Sequence, residues 1–105
     1  MSIQPDIIAR VTMYSSQVCG RSKIPAVRYG CPLFIEGQGF DCRLLLDQVG
    51  HGLEAGVEVE VPIKFLYPDL VRDLLKPGAR FTLWETKNFA DGEIVAVCKY
   101  GDPGR

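Results

Sequence analysis

The sequence predicts an all-β chain, a six-stranded antiparallel closed β-barrel, and three observations carry that prediction. The segment Val57-Glu58-Val59-Glu60-Val61-Pro62-Ile63-Lys64-Phe65 alternates strictly, with every odd position apolar and every even one charged or proline. Successive side chains of a strand point to opposite faces, so period two marks a half-buried strand. Val57, Val59, Val61, Ile63 and Phe65 are therefore expected in a core, and Glu58, Glu60 and Lys64 in water. The same alternation recurs in five other segments separated by turn residues. A chain of 105 residues suffices for one core that buries roughly two thirds of the unfolded surface.

Taken in order, Ile7, Ala9, Val11 and Met13 alternate with Ile8, Arg10, Thr12 and Tyr14 and give a first strand. From Ser15 to about Arg28 the periodicity stops, with turn chemistry at Cys19-Gly20-Arg21. A connection of this length tends to carry function. A second strand spans Cys31 to Glu36, with Leu33 and Ile35 on one face and Pro32 marking a strand start or an edge. Gly37-Gln38-Gly39 reads as a turn. Phe40 to Asp47 gives a third strand with Phe40, Cys42, Leu44 and Leu46 inward, ahead of a Gly50-His51-Gly52 loop.

After the alternating strand, Asp69 is placed to cap a helical turn near 69–76, with Leu70, Val71, Leu74 and Leu75 on one face. Pro77-Gly78 ends it. Ala79 to Glu85 is a fifth strand, with Phe81 and Leu83 inward and Arg80, Thr82 and Trp84 outward. Asp91-Gly92 opens a last strand, Glu93 to Tyr100. The barrel is expected over about 6–100, with a tail at 101–105 and no second domain. Closure removes exposed sheet edges, and a small barrel can be filled by its own side chains, which favours it over an open sandwich.

Twelve Lys plus Arg against thirteen Asp plus Glu leave a net charge of −1. No global field draws such a chain to nucleic acid or anionic membrane. The four cysteines, Cys19, Cys31, Cys42 and Cys98, lack the paired spacing of a zinc site, and His51 is the only histidine. They read as small buried hydrophobes, with Cys42 and Cys98 in phase with inward faces. Neither a signal peptide nor a membrane-length apolar run is visible. No metal or other cofactor is expected, and a soluble, cytoplasmic protein is.

Several motifs in this order resemble domain three, the C-terminal β-barrel, of elongation factor Tu and related translational GTPases. They are Gly20-Arg21 followed by Pro25 and Pro32, Ala55-Gly56 leading to Phe65-Leu66-Tyr67-Pro68, and Gly78-Ala79-Arg80-Phe81-Thr82-Leu83-Trp84-Glu85 with Asp91-Gly92 after it. The resemblance covers about residues 6 to 99 and implies a six-stranded barrel of the kind that contacts aminoacyl-tRNA, a GTPase domain and an exchange factor. The chain departs from the family in three ways. No phosphate-binding G-x-x-x-x-G-K-[ST] loop is present, so no nucleotide is expected and the chain is not an elongation factor. Ser22-Lys23-Ile24 lengthens the first loop and shifts Tyr29 by one position, and the helical turn at 69–76 replaces a shorter crossing.

Two surfaces follow as candidates. Arg21, Lys23 and Arg28 form a local basic group that could neutralise phosphates, against the plainer reading of solvated or loop-bracing side chains. Trp84 points outward, with Tyr14 and Phe34 in outward phases, and exposed aromatics anchor protein interfaces unless the helical turn covers them. His51 and Cys19 have no visible orienting partner, so catalysis is not expected. The expectation is a non-catalytic module that binds another protein through Arg21, Lys23, Arg28, Tyr29 and Trp84. The alternatives are a tRNA-binding accessory using the basic loop 19–28, and a decoy or immunity-type protein that imitates a translation-factor surface.

Overall fold

The computed structural model describes residues 3–15 and 23–98. Six strands close an antiparallel barrel: β1 (Ile7–Met13), β3 (Arg28–Ile35), β4 (Gln38–Leu45), β6 (Glu58–Phe65), β7 (Arg80–Trp84) and β8 (Asn88–Val97). Around the barrel they run β1-β6-β4-β3-β7-β8. Two short strands, β2 (Lys23–Ile24) and β5 (Leu53–Glu54), pair separately. Two four-residue helices, α1 (Leu46–Val49) and α2 (Pro68–Val71), and a 3-10 turn (Arg72–Leu74) complete the fold.

Period two translates directly into the interior. Ile7, Ala9, Val11 and Met13 are fully buried, as are Val61 and Ile63 of β6 and Leu44 of β4. They meet Val59, Phe65, Phe81, Leu83, Phe89 and Ile94 in one cluster. At about 25 cal/mol per Å2 of apolar surface, each large side chain in it contributes on the order of 2 kcal/mol. Glycine makes one contact possible: a Cβ on Gly92 would lie 2.5 Å from the Phe81 ring and 2.8 Å from the Arg10 carbonyl oxygen. Asp6 fastens the barrel's lower end, accepting from the Phe65 N–H at 2.8 Å and pairing with Lys64 at 3.1 Å.

Several sequence expectations are corrected. Val57 is 49% exposed because Gly56, at φ +79°, turns the chain and β6 starts only at Glu58. Glu36 and Gly37 (φ 51° and 79°) form the hairpin turn, so Gln38 and Gly39 already belong to β4. β3 begins at Arg28, three residues early, and β4 ends at Leu45 because α1 takes up Leu46. Asp69 does not cap α2: Tyr67 occupies that position, and Asp69 in the first turn pairs with Arg72. Val71 is buried but Leu70 is exposed, so the four leucine and valine positions do not share a face. β8 starts at Asn88 and passes through Asp91-Gly92. A register shift against β1 near Ile8 and Ala9 reverses its phase, which leaves Cys98 half-buried just past the strand. Residues 99–105 lie outside the described residues.

The barrel is not held equally on all sides. β1 pairs β6 from Ile7 opposite Ile63 to Thr12 opposite Glu58, and pairs β8 from Ile7 opposite Val97 to Met13 opposite Ala90. Between β3 and β7 the ladder holds only Leu33 opposite Leu83 and Phe34 opposite Thr82. Proline explains the stop. In a two-residue hairpin with both central φ positive, hydrogen-bonded and non-bonded pairs alternate from the turn, so Pro32 opposite Asp41 falls at a non-bonded pair with β4. Its backbone nitrogen therefore faces β7 and has no hydrogen to donate there. Beyond it β7 shifts register, with Trp84 opposite Asn88.

Candidate functional site

The incomplete β3–β7 pairing lies beside a groove on the barrel's outer surface. Because Phe81 and Leu83 turn inward, Arg80, Thr82 and Trp84 of β7 face out. Thr82 stands opposite Phe34 on one side and Asp91 on the other, and Asp91 stands opposite Thr12. Tyr14 follows β1 and is anchored by its N–H to the Phe89 carbonyl at 2.8 Å. Tyr14, Phe34, Arg80, Phe81, Thr82 and Asp91 line a groove of about 320 Å3. Trp84, 40% exposed, continues the same outer face two residues beyond Thr82.

Each wall has a local cause. Phe34 lies across Gly39, where an added Cβ would come within 2.9 Å of the ring. Glycine at a non-bonded cross-strand pair leaves room for an aromatic ring, which covers the bare backbone in return. The Tyr14 hydroxyl hydrogen-bonds Asp91; burial first, and then that carboxylate's charge and bond, hold the phenol above its ordinary 10.0. Arg80 is turned toward Glu93 at 3.4 Å, and Glu93 also faces Arg10 at 3.7 Å. The groove thus combines an apolar bed with a carboxylate and a guanidinium at its rim. Such a combination is chemically suited to holding side chains, and the raised pKa of Tyr14 keeps its phenol protonated beside Asp91.

The residues expected from sequence fall into separate places. Trp84, Tyr14 and Phe34 do share the outer face, as their phases predict. Tyr29 turns the other way: its ring meets Phe89 edge-on at 6.1 Å and its hydroxyl donates to Glu85, so it bridges β3 to the end of β7 by side chains where the backbone ladder has stopped. Arg28 is held by Asp47 at 3.2 Å, and Lys23 stands opposite Glu54 in the β2–β5 pair. Arg21 and Cys19 lie outside the described residues. Thr82, Asp91 and Arg80 were not singled out as site residues, because only the register of four strands, β3, β7, β8 and β1, brings them to Phe34 and Tyr14. No residue of α2 or the 3-10 turn lines this groove; Tyr67 and Leu70 instead border a second cleft of about 140 Å3 with Gly39, Phe40 and Asp41.

His51 is exposed, its Nδ1 3.1 Å from the Gly52 carbonyl oxygen. Among the described residues no three His, Cys, Asp or Glu side chains gather as a metal site, and no helix is long and apolar enough to cross a membrane. Comparison with protein-family models and with curated proteins finds no match to this chain.

Proposed function

We propose that this protein is a non-catalytic binding module whose outer groove, formed by Tyr14, Phe34, Thr82 and Asp91 and extended by Trp84, engages another protein. The carrying observation is that Tyr14 and Phe34 line a groove beside the short β3–β7 pairing, with the exposed Trp84 of β7 on the same outer face, while Arg28 is already held by Asp47. Arg28 would have to leave Asp47 to contact a phosphate, and Lys23 stands across the β2–β5 pair from the acidic Glu54, which weakens the RNA reading. The motif resemblance and the closed barrel together favour a partner from the translation apparatus.

The test is co-purification of the tagged full chain from its own cell extract, beside Trp84→Ala and Phe34→Ala. A protein held by the wild type through a salt wash and lost from both variants supports the proposal. RNA recovered instead, released by salt and lost on replacing Arg21, Lys23 and Arg28 with alanine, contradicts it, as does a protein retained equally by wild type and variants.

A further inference from the structure

Two of the four cysteines, read from sequence as filling for a core, stand in a specific relation. Cys31 of β3 and Cys42 of β4 are directly opposite each other, both are inside the barrel, and both are free. Counting back from the hairpin turn, with Ile35 opposite Gln38 as the first hydrogen-bonded pair, Cys31 and Cys42 form a hydrogen-bonded pair. Cα atoms in such a pair lie about 5.5 Å apart, inside the range of roughly 4.4–6.8 Å that a disulfide spans. The Cys42 thiol already points across the gap, with its Sγ 3.2 Å from the Cys31 carbonyl oxygen. Backbone separation thus allows the bond, and the Cys42 thiol lies against its neighbour's backbone.

We infer that Cys31 and Cys42 are a reversible dithiol site for thiol–disulfide exchange, whose substrate class is a low-molecular-weight disulfide. Cys31 starts the reaction. Though buried, it is the less enclosed of the two (7% exposed, against 0% for Cys42), and it immediately precedes Pro32, where pairing with β7 ends and local opening would admit a small disulfide. Cys42 cannot start, because its bond to Cys31 and its burial keep the thiol protonated to well above the ordinary range. The Cys31 thiolate attacks one sulfur of the small disulfide and displaces a thiolate, giving a mixed disulfide on Cys31. That bond relieves Cys42 of its neighbour's charge; the departing thiolate takes the Cys42 proton, and Cys42 attacks the Cys31 sulfur and displaces the second small thiolate, which is protonated by water. Two protein thiols are oxidised to one disulfide, and one small disulfide is reduced to two thiols.

The product is strained. The side chains of a hydrogen-bonded pair stand farther apart than those of a non-bonded one, so closing the bond draws β3 toward β4. Strained disulfides are the readily reduced ones, which makes the crosslink a reversible state of the barrel.

The experiment uses the full-length Cys19→Ser, Cys98→Ser double variant, which keeps only this pair, incubated with oxidised glutathione without denaturant. Both thiols should disappear, with no glutathione retained and an unchanged circular dichroism spectrum, and dithiothreitol should restore both. Because no Lys or Arg lies between the two cysteines, trypsin leaves them in one peptide, Tyr29–Arg43, which should appear lighter by the two hydrogens lost. The wild type provides the same peptide if the double variant does not fold. Thiols that stay free until urea is added, glutathione retained on Cys31, or crosslinks that run only to Cys19 or Cys98 in the wild type would each overturn the inference.

Discussion

The two sides of the barrel are built differently. Around β1 the backbone ladder runs the length of the strand to both neighbours, and the inward side chains Ile7, Ala9, Val11 and Met13 are sealed. Between β3 and β7 it lasts for two residue pairs, after which Tyr29 and Glu85 take over with side chains. The closed side needs only the hydrophobic pattern. The other side carries a proline at the position where a ladder bond is due, and beside it lie the outer aromatics. The proposed binding face thus lies beside the shorter ladder, in keeping with low local stability being a common property of binding regions.

The contrast can be broken most forcefully from the closed side. Phe65→Ala removes a fully buried ring opposite Cys42 and should cost about 3–5 kcal/mol, read as a lower urea midpoint with an unchanged slope. A loss below about 1 kcal/mol would mean that the barrel is not packed as described. Gly92→Ala adds one methyl against both the Phe81 ring and the Arg10 backbone; the ring can shift but the carbonyl cannot, and about 1–3 kcal/mol should be lost in the same titration.

On the β3–β7 side the effects shrink. Tyr29→Phe deletes the hydroxyl that bridges to Glu85 and keeps the edge contact with Phe89, so roughly 1 kcal/mol or less is at stake. Its clearer sign should be faster exchange of β3 amides near Gly30, with β1 unchanged. The smallest effect belongs to Tyr14. Its folded-state pKa is raised above 10.0, so the folded chain binds the phenolic proton more tightly than the unfolded one; this contribution is present below the unfolded pKa and is lost as pH rises through the folded value. The difference between the spectrophotometric titrations of the wild type and Tyr14→Phe should show Tyr14 ionising late, and Asp91→Asn should bring it back toward its ordinary range while leaving the part due to burial.

How much of this could be read from the sequence depends on how far each feature reaches. A period of two is a property of neighbouring residues, so the six strands, the inward set and the outward direction of Trp84, Tyr14 and Phe34 were legible. Strand ends were less so, because Gly56 and Glu36 set them through positive φ, which moved Val57 into water and started the hairpin turn one residue earlier. The two-residue strands β2 and β5 are too short to show a period. The groove was hidden for another reason: Thr82, Asp91 and Phe34 meet through register, a property of pairs of strands, and the bulge that takes Cys98 off the inward phase is likewise set by β1. Pro32 was legible as an edge signal, but the strand it separates from β3 was not.

The most direct test of a closed barrel with long ladders around β1 and a short one between β3 and β7 is amide hydrogen exchange of the native full chain, resolved by residue. Amides of β1 that bond to β6 and β8 should exchange only through global unfolding, while those of Phe34 and Thr82, which join β3 to β7, should exchange sooner through local opening. Equal protection of both sets, falling together with denaturant, would contradict the division of the barrel on which the proposed binding face rests.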